Sequence, residues 1–104
     1  MRLHILHPTA PRETRATTLP ANNERAAVLA LVEPIIGGKV KHAPALLNGA
    51  RADMFTAAED ADLPRNEDAT AVLRAAWVSQ RGHEDPERMP HVRGVAVVIE
   101  GGVW

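Results

Sequence analysis

An α+β domain with the element order ββαββαβ is predicted by three features of the chain. The pair Asn48-Gly49 stands between two extended runs, two apolar stripes recur at helical spacing, and a β-branched run extends from Val95 to Ile99. A small antiparallel or mixed sheet of about five strands, packed on one side by two helices, would accommodate these elements. The 104 residues, 45% of them hydrophobic and 24% charged, suffice for one buried core, so residues 1–104 are read as a single domain.

The elements follow in order. Leu3 and Ile5 alternate with His4 before Pro8, which predicts a short strand, and the threonine-bearing stretch from Glu13 to Leu19 is expected to return antiparallel to it. Asn22-Asn23 offers a helix cap, and Val28, Leu31, Val32 and Ile35 form one stripe. Pro34 lacks an N–H, so this helix is expected to end near Glu33, with Gly37-Gly38 as the break. Asn48-Gly49 tolerates the positive φ of a type I′ turn, which pairs residues 39–47 with 50–56; Pro44 calls for an edge or a bulge. Asn66 caps the next helix, where Ala69, Val72, Leu73, Ala76 and Trp77 repeat at i, i+3, i+4, i+7 and i+8 out to residues 80–82. Residues 81–90 are polar with two prolines and read as loop, and residues 92–100 read as a buried strand.

Several classes of chemistry lack their residues. Without cysteine there are no thiolate zinc sites, iron–sulfur clusters, disulfides or Cys nucleophiles, and a reducing cytoplasm is the default location. Neither a leader nor a membrane-spanning run is read from the sequence. The single serine, Ser79, lies near a helix end and outside a nucleophile elbow. The histidines lack metal-ligand spacing: His4 and His7 point to opposite faces of a strand, and His83 has no second histidine one helical turn away. They are read as solvated or structurally hydrogen-bonded. Neither Gly37-Gly38 nor Gly101-Gly102 sits in a phosphate-loop frame. No catalytic residue, metal or cofactor is assigned, and the protein is not read as an enzyme.

The charge distribution carries more. The near-neutral total of −1 hides a segment, residues 53–68, in which Asp53, Glu59, Asp60, Asp62, Glu67 and Asp68 face only Arg65. Glu67 and Asp68 suit the first turn of a helix, whereas Glu59, Asp60 and Asp62 have no such local reason. Fixed carboxylates attract basic surfaces and can occupy a groove built for phosphates, so Glu59, Asp60, Asp62, Glu67 and Asp68 are the candidate partner-binding residues. The alternative is a DNA-associated regulator using Arg12, Arg15, Arg25, Lys39, Lys41 and Arg51 if the sheet gathers them.

The stretch from Leu47 to Trp104 resembles a family of small phage, plasmid and mobile-element proteins known only as a domain of unknown function. Asn48-Gly49, Asp53-Met54-Phe55, Leu63-Pro64-Arg65-Asn66, the helix through Trp77, Asp85-Pro86 and the valine-rich last strand carry the likeness. It covers a little over half of the chain and transfers no catalytic residue. It implies an α+β fold and an accessory protein that binds a host protein, in the manner of anti-CRISPR inhibitors. The expectation is a non-enzymatic inhibitor, monomeric or weakly dimeric, that sets its acidic stretch on a CRISPR effector subunit, of a type I complex in the narrowest version. Target-DNA binding would then be blocked, with no membrane and no direct nucleic-acid contact involved.

Overall fold

The structure, a computed structural model, describes residues 2–16, 25–80 and 91–100. Strands β1 (Arg2–Leu6) and β2 (Glu13–Ala16) form a hairpin, helix α1 (Arg25–Ile36) leads to the second hairpin β3 (Val40–Leu47) and β4 (Ala50–Ala57), and helix α2 (Glu67–Gln80) precedes β5 (Ala96–Glu100). The five strands make one antiparallel sheet in the order β2-β1-β5-β4-β3. This is the α+β fold expected from the sequence, with the predicted element order.

The turn between β3 and β4 owes its shape to Asn48 and Gly49, at φ 53° and 79°, so the predicted hairpin forms in continuous register from Val40↔Ala57 to Leu47↔Ala50. Pro44 sits opposite Asp53 on edge strand β3 without a bulge.

The helices cover opposite faces of the sheet, which corrects the expectation of one covered side. Residues paired across strands share a face, and successive residues alternate. Leu3↔Ile99 and Ile5↔Val97 pack with Phe55 beneath Val28 and Val32 of α1. Their neighbours Leu6, Ala96 and Val98 pack with Met54 and Leu47 beneath Ala69 and Val72 of α2. The central run Ala96-Val97-Val98-Ile99 is fully buried because each face has its own helix. Every fully buried Val or Ile there contributes about 1.5–3 kcal/mol.

Helix α1 does not stop at Glu33. It runs through Pro34 to Ile36 because Pro34 and Ala30, the residue whose carbonyl loses its partner, are both exposed to water. It ends where Gly37 takes φ 99° and the N–H groups of Gly37 and Gly38 both donate to the Glu33 carbonyl, at 2.7 and 3.2 Å. The predicted cap at Asn22-Asn23, the strand residues beyond Ala16, the loop 81–90, and the residues His83, Asp85, Pro86, Gly101-Gly102 and Trp104 lie outside the described residues.

Asn66 caps α2 as predicted, its Oδ1 accepting the Ala69 N–H at 3.0 Å. The same buried amide donates from Nδ2 to the carbonyls of Leu6 and Gly94, both at 2.8 Å. Its backbone N–H donates to the Val92 carbonyl, and its own carbonyl accepts both the N–H and the hydroxyl of Thr70. That hydroxyl in turn accepts the Val92 N–H. β5 starts at Ala96 rather than at residue 92 because Gly94 turns the chain at φ 78°, beneath Leu63.

Two substitutions test this junction by urea unfolding. Asn66→Asp retains the cap acceptor but turns a carboxylate toward two carbonyls, and is expected to lower stability by about 3 kcal/mol or more. Gly94→Ala places a methyl 2.7 Å from Leu63 Cδ1 at a positive φ and is expected to cost about 1–3 kcal/mol.

Candidate functional site

Glu59, Asp60 and Asp62 lie on the connection from β4 to α2, Glu67 and Asp68 lie in the first turn of α2, and the connection is braced along its length. Ala58 N–H donates to the Lys39 carbonyl at 2.9 Å, and Leu63 N–H closes a turn onto the Asp60 carbonyl at 3.0 Å. Arg93 Nη1 donates to the Leu63 carbonyl at 3.1 Å, Gly94 N–H to the Pro64 carbonyl at 2.8 Å, and Arg65 forms an antiparallel bridge with Arg93. Asn66 anchors the far end.

On this frame the five candidate carboxylates divide. Lys41 Nζ donates to Asp60 Oδ2 at 3.1 Å. Arg12 grips Asp68 through two bonds, from Nε to Oδ2 at 3.1 Å and from Nη2 to Oδ1 at 2.5 Å. The Asp68 contact also raises the Arg12 pKa above its ordinary value, with the hydrogen bond as the leading cause. Asp60 therefore ties the connection to β3, and Asp68 ties the start of α2 to the β1–β2 loop. Glu59, Asp62 and Glu67 are exposed and make no ion pair with the described residues.

The cations named for DNA binding include members at the two opposite edges of the sheet. Arg15 lies on edge strand β2 and Lys41 on the opposite edge strand β3, with the width of the sheet between them. Arg12, Arg15 and Lys41 are each paired with a carboxylate.

Three histidines are hydrogen-bonded to carboxylates, as read from the sequence. His42 Nε2 donates to Asp53 Oδ1 at 2.6 Å across the β3–β4 pair, with its ring tilted on Phe55. This pairing compensates Asp53, a buried carboxylate on the face covered by α1. His4 lies on the other face, between Thr14 Oγ1 at 3.1 Å from Nδ1 and Glu100 Oε1 at 2.9 Å from Nε2. A neutral ring satisfies both when Nε2 carries the hydrogen and the Thr14 hydroxyl donates. The trio locks β2, β1 and β5 side by side. His7, in the loop after β1, bonds Glu13 at 3.2 Å. Among the described residues no three histidine or carboxylate side chains converge as a metal site.

A cleft of about 490 Å³ opens beside the acidic connection. Half-buried Ile36, Ala57 and Leu63 form its floor, and Gly37, Gly38, Lys39, Ala58 and Glu59 form its exposed rim. Beyond the adjoining residues of the chain, no described atom lies within 4 Å of where a Cβ on either glycine would stand. Nothing in the spacing of these residues announces a cleft, because it arises from the meeting of the α1 terminus with the end of β4. The sequence signals available were the glycine pair and the charge of Glu59.

Glu13 supplies a pH test of the local electrostatics. Its carboxyl is held below the ordinary value of 4.5, first by the hydrogen bond from Arg15 and then by that from His7. The associated stabilisation is present above 4.5 and is lost as pH falls through the lower folded-state value. Arg15→Ala is expected to move the Glu13 midpoint up toward 4.5 in a carboxyl NMR titration; an unchanged midpoint would rule out this cause.

Among the described residues no helix is long and apolar enough to cross a membrane. No protein-family model, curated protein or solved structure matches the chain.

Proposed function

We propose that this chain is a protein-binding module whose acidic connection, carrying Glu59 and Asp62, docks together with Glu67 of α2 on a basic surface of a partner. The observation that supports this reading is the bracing of residues 58–66 from both sides. An acidic loop free to move would lose conformational freedom on docking, whereas a loop already bonded along its backbone meets its partner with little further ordering. Asp60 and Asp68 serve the frame, and the three exposed carboxylates serve the contact.

The partner in this proposal is a CRISPR effector subunit, in a type I complex, whose groove for DNA phosphates is the basic surface; the sequence resemblance to mobile-element proteins suggests it. An acidic ridge seated in that groove competes with target DNA, giving an inhibitor without catalysis of its own. The DNA-regulator alternative draws no support from the arrangement of the cations, which are separated across the sheet and partly neutralised.

The test mixes the purified protein with a purified type I effector complex. Co-elution on size exclusion and loss of DNA loading are expected. The double variant Glu59→Lys with Asp62→Lys, at two exposed and unpaired positions, is expected to keep its circular dichroism spectrum and bind at least about tenfold more weakly. The wild-type interaction is expected to weaken as salt rises. Failure to associate, or full affinity in the double variant, would overturn the reading.

A further inference from the structure

The cleft beside Glu59 has features that binding a basic surface does not call for. Its volume of about 490 Å³ lies in the range of small-ligand pockets, roughly 300–1,000 Å³. Its floor is apolar, while two opposite charges stand on its rim. Lys39 and Glu59 are both exposed, and neither forms an ion pair with the other or with any described residue. Elsewhere the fold pairs such neighbours, as with Lys41 and Asp60.

The end of α1 adds a second source of negative potential. Gly37 and Gly38 both donate to the Glu33 carbonyl, and no backbone N–H among the described residues reaches the carbonyls of Pro34, Ile35 and Ile36. The last turn holds no basic residue to offset them. Glu59 and the helix terminus therefore favour a cation, and Lys39, beside them on the rim, favours an anion. Ile36, Ala57 and Leu63 add an apolar lining.

We propose that this cleft binds an α-amino acid with an apolar side chain. The ammonium group meets Glu59 and the carboxyl end of α1, the carboxylate meets Lys39, and the side chain covers Ile36, Ala57 and Leu63. A ligand with only one of the two charges leaves the other rim charge without its counterpart and binds more weakly.

The experiment is a backbone amide NMR titration of the full chain with L-leucine, L-methionine and L-phenylalanine at millimolar concentrations, with no partner protein present. Saturable shifts confined to residues 36–39, 57–59 and 63 are expected with at least one of the three. For a leucine response, 3-methylbutylamine, which lacks the carboxylate, and 4-methylpentanoate, which lacks the ammonium, are expected to bind at least about tenfold more weakly. Lys39→Ala and Glu59→Ala are expected to weaken the amino acid by a similar factor and, being exposed and unpaired, to leave the rest of the spectrum in place. No response to any of the three, equal shifts with a singly charged analogue, or unchanged affinity in both variants would overturn the proposal. None of these outcomes depends on whether the protein binds an effector complex.

Discussion

The side-chain amide of Asn66 joins three parts of the chain that are far apart in sequence. One oxygen starts α2, and two hydrogens hold the end of β1 and the approach to β5. All three groups are buried, so each would carry a desolvation cost without its partner. The central pairing of β1 with β5 depends on this junction for its position. So does the placement of α2, and with it the cover over one face of the sheet. Thr70 extends the network by accepting from Val92, which leaves the chain entering β5 hydrogen-bonded on both sides.

With the sheet fixed, the charged residues fall into two groups. Some close the fold: Arg12 with Asp68, Lys41 with Asp60, His42 with Asp53, and His4 with Glu100. The exposed pairs among them contribute little stability individually, yet they set where loops lie. Among the others, Lys39 and Glu59 face solvent at the corner where α1 ends and β4 runs into the acidic connection, Asp62 lies further along that connection, and Glu67 opens α2. The proposed partner surface and the proposed ligand cleft share that corner.

Much of this fold was legible in the residues. Asn48-Gly49 specifies its turn through backbone conformation alone, and the stripe from Ala69 to Trp77 marks a helix through periodicity, so both survive any tertiary arrangement. What could not be read was relational. The valine-rich strand is apolar on both faces, a pattern that fits helices on opposite sides of the sheet and also fits other sources of cover. Pro34 argued for a helix end, but solvent exposure of the broken turn let α1 continue. Asn66 was readable as a cap, because that role is local. Its two donor bonds reach residues 60 positions before and 28 positions after it, and no local pattern encodes those. The division of the acidic residues into paired and unpaired members depended in the same way on which lysine or arginine the topology brought near.

The frame of the acidic connection is built mainly from backbone groups and from residues at its ends. The carbonyls of Asp60, Leu63 and Pro64 and the N–H groups of Ala58 and Leu63 do the holding, with Arg93 and Asn66 as the side chains that matter most. Glu59, Ala61 and Asp62 are exposed, and no side-chain bond of theirs contributes to the frame. Substitutions at these positions leave the backbone bonds beneath them in place. The charge that the connection presents to solvent is thereby separable from the bonds that hold its shape.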